Sequence, residues 1–429
     1  MALGGGVFTT QNKKIAGAYI NFVSANQASN ALSERGTCAI PMTLSWGEED
    51  KIFLVEGAEF QRKSKSMFGY DYNDKKLLGL REVFKNAQKV YIYRLNTGTK
   101  AFNEFAEAKY SGIRGNDIKI AIATNVDEPT KFDVKTYLDN GLVDTQTVTT
   151  AAELVSNEFV NFKSDAELTL TAGTPLESGS DGSGVTVGDW QKAFAKLESY
   201  AFNTLAIVSD DSSVKDLAVA YTKRRRYEEG VKFQTVMHKM AADEKGIISV
   251  ENNATSEIVY WVAGAQAGCA VNKSCTNKKY DGELTINVDY TQAQLEKLID
   301  AGKFAFHRVG DDIRVLTDIN SKVTVTLEEG EDFKANQTIR VIDQIGNDIA
   351  TVFNTKYLGI MPNNEQGRIS LWSDIVDIYM QLQEIQAIEG FVSTDLTVSE
   401  GNGKKDVVTN SQVKVTNAME KMYMTVVVA

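Results

Sequence analysis

The final stretch of the sequence, Met422-Tyr423-Met424-Thr425-Val426-Val427-Val428-Ala429, is apolar on both faces of any strand it forms. Chain termini are normally polar and frayed. An uncharged β-branched segment left unpaired presents a free backbone edge that nothing protects. It must be covered, either as a central strand of the chain's own sheet or by another copy. The opening segment raises the same problem. Gly4-Gly5-Gly6 is flexible, and Ala18-Tyr19-Ile20-Asn21-Phe22-Val23 has the content of a strand with no local hairpin partner. Two such ends favour strand exchange between copies, the β-augmentation mode of recognition. Repeated head to tail, that contact generates rings or helical filaments. The residues placed in exchanged strands are Tyr19, Ile20, Asn21 and Phe22 at one end, and Val413, Val415, Tyr423, Thr425 and Val427 at the other. Gly4, Gly5, Gly6, Gly401 and Gly403 are the expected hinges.

Between the ends the pattern changes three times. With 429 residues the chain exceeds what one hydrophobic core usually serves, so several domains are expected. From Gly36 strand and helix patterns alternate: strands at 37–44, 89–95, 204–208 and 231–238, helices at 74–86, 190–200, 214–229 and 258–271. Alternation of this kind indicates an α/β sheet covered by helices. Residues 101–185 are instead rich in Thr, Val and Asp, with a hairpin signal at Asp139-Asn140-Gly141. They end in Ser178-Gly179-Ser180-Asp181-Gly182-Ser183-Gly184, which reads as a flexible connector. Near residue 339 isoleucines recur at helical spacing (Ile339, Ile342, Ile345, Ile349), and Leu371, Ile375, Ile378 and Leu382 repeat the pattern. Two β runs follow, 393–398 and 407–428, joined by a turn at Glu400-Gly401-Asn402-Gly403.

The expected fold is therefore α/β and α+β multidomain. It has an N-terminal arm (1–30), a discontinuous middle α/β domain (31–100 and 186–330), an inserted β-rich domain (101–185) and a C-terminal α+β domain with its own arm (331–429).

Chemistry is thinly represented. A net charge of −11 opposes general nucleic-acid binding, which needs a basic face. Lys223-Arg224-Arg225-Arg226 is followed at once by Glu228 and Glu229, so it reads as a solvated helix face or an inter-subunit salt-bridge strip. The only histidines, His238 and His307, lie in different segments and repeat no catalytic motif. Cys269 and Cys275 lack a zinc spacing, and three cysteines make no disulfide framework. The paired acids Asp311-Asp312 and Glu328-Glu329 look like solvated loop charge, and Trp372 and Tyr379 like core. The start of the sequence shows no secretory signal, and the run 258–271 is too short to span a bilayer, so an intracellular folding environment is expected. No enzyme, cofactor, metal or membrane role is called for.

Several short segments carry a family likeness. Thr9-Thr10-Gln11-Asn12-Lys13-Lys14 with Gly17-Ala18-Tyr19-Ile20-Asn21-Phe22 resembles the start of contractile tail sheath proteins from Gram-positive phages and phage-tail-like bacteriocins. Arg35-Gly36, Leu44-Ser45-Trp46-Gly47, Gly112-Ile113-Arg114-Gly115-Asn116-Asp117, Asp318-Ile319-Asn320-Ser321 and Arg340-Val341-Ile342-Asp343 continue it. Ala16 stands where many relatives have proline. The resemblance implies a homo-oligomeric helical sheath that surrounds a tail tube protein, meets baseplate and tail terminator proteins, and contracts to drive the tube through a target envelope. It also implies assembly in the bacterial cytoplasm into a virion or headless tailocin particle. Another self-assembling shell or surface-layer protein is the alternative reading.

Overall fold

The computed structural model describes residues 32–428. The expected arm 1–30, with Tyr19, Ile20, Asn21, Phe22, Gly4, Gly5 and Gly6, lies outside the described residues.

A seven-stranded sheet forms the centre. Its strands run in the order Lys303–Phe304, Ile247–Val250, Gln234–His238, Thr204–Ile207, Thr37–Met42, Lys89–Arg94, Ile52–Glu56. Neighbours are parallel except at the last pair, where Ile52–Glu56 runs against Lys89–Arg94. The inner strands Thr204–Ile207, Gln234–His238 and Ile247–Val250 are buried at every position because helices cover both faces. One face carries Ile40, Val90, Val236 and Ile248 against the helices Leu78–Phe84 and Ile258–Gly268. The other carries Ala39, Leu205, Ile207 and Met237 against Val187–Leu197 and Ser212–Lys223. Gly264 sits where the two helices of the first face cross; a Cβ there would lie 2.3 Å from the carbonyl of Val83. No helix among the described residues is long and apolar enough to cross a membrane.

The inserted region is an antiparallel sheet in the order Gly141–Val148, Phe132–Leu138, Ile118–Thr124, Thr171–Pro175, with a second small pair, Ala106–Ala108 and Val160–Phe162. Asp139 takes a positive φ of 56° in the hairpin turn. Ile118, Ile120, Ile122, Val134 and Leu138 fill its core, and Trp46 reaches into it from the middle region.

The expected flexible connector is instead pinned. Asp181 accepts from Ser45 Oγ and from the Ile113 N–H, Asn116 exchanges two hydrogen bonds with Gly179, and Ser180 bridges to Thr99. Gly179 and Gly182 serve close approach: Gly182 has φ +78°, and a Cβ on it would lie 1.9 Å from the carbonyl oxygen of Thr97.

The C-terminal region packs the helices Asn336–Val352 and Glu365–Glu384 around Val341, Ile345, Leu371, Ile375, Ile378 and Leu382. Two small antiparallel sheets lean on this core, Leu396–Glu400 with Val407–Ser411, and Ile388–Glu389 with Lys414–Val415. The expected β run to residue 428 ends at Val415; among the described residues, 416–428 belong to no strand.

Candidate assembly interface

Helix Asn336–Val352 has two buried faces of opposite character. Its apolar face makes the C-terminal core. Its polar face, Asn336, Arg340, Asp343, Gln344 and Asp348, is also buried, against the middle region. Every member finds a partner there, as buried polar groups must. Arg340 donates to Asp318 at 3.1 Å, to Gln266 Oε1 at 2.7 Å and to the Lys273 carbonyl at 2.6 Å. Asp318 also accepts from Gln266, Asn336 and the Cys275 N–H. Burial opposes the charge on Asp318, but Arg340 and these donors outweigh it and hold the carboxyl below its ordinary range. One turn on, Asp343 takes a two-pronged contact from Arg226, at 2.6 and 2.8 Å. Asn347 exchanges bonds with the backbone of Lys232, and Gln344 and Asp348 bind Ser33. Burial raises the Asp348 carboxyl, against the donors Ser33 and Gln344.

Half of the basic run is therefore not a solvated face, although Lys223 is exposed and Arg224 partly so. Arg225 and Arg226 are buried, and Arg226 ties the sheet region to helix Asn336–Val352. A chain reading Arg-Arg-Arg gives no sign that Asp343, more than a hundred positions away, will meet it. Glu329 is likewise engaged, by Lys245 and Lys322. His238 is buried with its Nδ1 2.7 Å from Asp210, whose other oxygen accepts from the Ser256 N–H. The His238 Nε2, the nitrogen that would face a nucleophile, is buried and bonded to no hydroxyl among the described residues. Trp372 and Tyr379 are partly and fully buried in the C-terminal core, with Trp372 Nε1 bonded to the Leu396 carbonyl.

Beyond the core the chain is progressively released. Val413 and Val415, expected in an exchanged strand, are used at home: both pack on the C-terminal core, and Val415 pairs with Ile388. The Thr416 N–H reaches the Ala387 carbonyl, Ala418 is held by Gln337, and Glu420 accepts from Thr276 and Thr317. Past that point every described residue is exposed. Tyr423 is 90% exposed and Val427 86%, with Thr425 exposed between them. The same region holds two sheets of only two strands each, both packed on its helical core. Gly401 and Gly403 close the turn of one of them, through Gly401 N–H to Asp406 O and Gly403 N–H to Asp406 Oδ2. That turn joins two strands of one sheet, so these glycines shape a hairpin where a domain joint was expected.

Comparison with known proteins decides the family. Four models match in succession: the Tail sheath protein Gp18 domain III N-terminal region over residues 35–95, the phage tail sheath protein beta-sandwich domain over 96–181, its central domain over 183–321 and its C-terminal domain over 328–429. The phage-like element PBSX protein XkdK of Bacillus subtilis (strain 168) is 34% identical, over 99% of each chain. The chain belongs to the phage tail sheath family. The solved sheath tail protein of Desulfitobacterium hafniense superposes with a TM-score of 0.81 at 38% identity, covering 95% of this chain and 99% of that one. The fold extends to the anti-feeding prophage helical sheath in its contracted state, with a TM-score of 0.55 at 12% identity and coverage of 97% and 99%.

The buried joints were the part of this site that sequence reasoning missed. The signal was present: Asp318, Asn320, Arg340 and Asp343 stand in the short segments that carry the sheath likeness. Their burial was not readable, because an amphipathic helix normally turns its polar face to water.

Proposed function

We propose that this tail sheath protein is the repeating, non-enzymatic subunit of a contractile sheath, and that segment 422–428 pairs with a two-stranded sheet in the C-terminal region of a neighbouring copy. The observation that carries the reading is that segment itself, apolar and exposed on an otherwise packed chain. Covering each Val or Met side chain stabilises the contact by roughly 1.5–3 kcal/mol, before ordering costs. Backbone pairing adds direction, so copies join in one sense and propagate. Segments Tyr19-Ile20-Asn21-Phe22 and Tyr423-Met424-Thr425-Val426-Val427 supply the exchanged strands, and the assembled sheath surrounds a tail tube and meets baseplate and terminator proteins. The shared fold with a helical sheath solved in its contracted state supports assembly of this subunit into a sheath. Contraction follows from a lattice whose free energy per copy is lower by about a few kcal/mol, summed over many copies.

The same reading divides the chain into an arm (1–30), a middle domain (31–100 and 186–330), an insertion (101–185) and an inner domain (331–429). Separate buried clusters on the sheet, in the insertion and around the two C-terminal helices support that division. Deletion of residues 422–429 tests the assembly claim: folded, soluble protein that no longer forms tubes in electron micrographs is expected. Tubes of normal length from the truncated chain contradict it.

A further inference from the structure

We infer that turn 326–329 of one copy docks, through Leu327 and Glu328, into a basic-rimmed apolar cavity at the far end of helix Asn336–Val352 in the next copy. This contact rests on the reading that copies assemble, and it is independent of the exchanged strands. The turn precedes that helix and is held rigidly. The Thr326 N–H donates to the Glu329 carbonyl at 3.0 Å, and the Glu329 N–H donates to Thr326 Oγ1 at 3.0 Å. Lys245 and Lys322 grip the Glu329 carboxylate. Asp243 accepts from the Val323 and Thr324 N–H groups and from Thr324 Oγ1. Leu327 is left at the tip, fully exposed, with Glu328 exposed beside it.

The cavity has a volume of about 450 Å³, and its apolar lining is Phe353, Tyr357, Leu358, Met361, Leu371 and Val407. Asn363 forms one wall: its Nδ2 donates to the Lys404 and Asp406 carbonyls, which ties the hairpin turn to the start of helix Glu365–Glu384. Among the described residues the charged groups that line the cavity are Arg368, Lys404 and Lys405, all basic. Asp406, next to them in the chain, accepts from the Gly403 N–H. On a chain of net charge −11, such a hollow selects an apolar group flanked by acid. Leu327 followed by Glu328 is that group. A copy cannot fill its own cavity with its own tip, because the 17-residue helix between them is about 25 Å long and the turn is fixed at its other end. The two patches differ, so each copy offers a tip to one neighbour and a cavity to another, and the contact propagates.

The test is carbodiimide crosslinking, which joins a carboxylate to an amine in direct contact, of an assembled mixture of isotope-labelled and unlabelled full chain. The expected product is a mixed-mass peptide pair that joins Glu328 to Lys404 or Lys405. Leu327→Asp should leave the free subunit's unfolding midpoint unchanged, remove that pair and raise the concentration needed for assembly about tenfold. Glu328→Lys alone should weaken assembly, as should Lys404→Glu with Lys405→Glu. All three changes in one chain should restore it, which damage to the fold would not do. Absence of the pair, attachment of those lysines to other carboxylates, or assembly indifferent to Leu327→Asp would overturn the inference. Tubes that form without the pair contradict this contact alone, whereas tubes that survive deletion of 422–429 and still give the pair contradict strand exchange alone.

Discussion

The polar face of helix Asn336–Val352 and the apolar segment 422–428 invert the usual rule of burial. The helix hides Arg340, Asp318 and the Arg226–Asp343 pair almost completely. The segment leaves three valines, two methionines and a tyrosine in water. Both arrangements cost free energy in isolation. The helix recovers that cost inside the chain, because each buried charge has a fixed partner. The segment is exposed among the described residues, and in the proposed assembly it recovers that cost when another copy supplies a surface. The proposed sheath role uses both, a body that keeps its shape and a segment that completes its packing on a neighbour.

Breaking the buried joint has the largest expected effect. Arg340→Ala strands the Asp318 carboxylate in the interior and should destabilise the chain by about 3–5 kcal/mol, seen as a lower denaturant midpoint. A loss under about 1 kcal/mol would mean that the joint is not what holds the helix. Gly182→Ala, where the added Cβ meets the Thr97 carbonyl and φ is positive, should cost about 1–3 kcal/mol. Acid sharpens the contrast. The folded Asp318 carboxyl lies below its unfolded value, so its contribution is present above about pH 4 and is lost as pH falls through the folded value. Stability of the native chain should drop on that limb, and Asp318→Asn should flatten it. Asp348 has the opposite sign: burial raises its carboxyl, and Asp348→Asn should change neutral-pH stability by less than about 1 kcal/mol. Smallest of all, Tyr423→Asp or Val427→Asp should leave the free subunit's unfolding midpoint unchanged within about 0.5 kcal/mol while abolishing tube formation.

What the sequence made legible follows this division. Periodicity located four of the seven strands of the central sheet and most of the longer helices to within a few residues, since those elements bury a predictable apolar stripe. It missed strands Ile52–Glu56, Ile247–Val250 and Lys303–Phe304 and helix Gly57–Phe68. It also marked segment 422–428 as unsatisfied. It misread Ser178-Gly179-Ser180-Asp181-Gly182-Ser183-Gly184 as a loose connector, because glycine serves both flexibility and close approach and only the surroundings distinguish them. It misread the Lys223-Arg224-Arg225-Arg226 run for a related reason: a buried ion pair depends on a partner far along the chain. Val413 and Val415 look no different in sequence from Val426 and Val427. Ile388 and the C-terminal core, close to the first pair, make the difference.

Hydrogen exchange at residues 422–428 in free subunits and in assembled tubes measures the central claim most directly. The account predicts amides that exchange within the dead time when free and become strongly protected on assembly, while helix Asn336–Val352 is protected in both states. Equal exchange of the segment before and after assembly would contradict it.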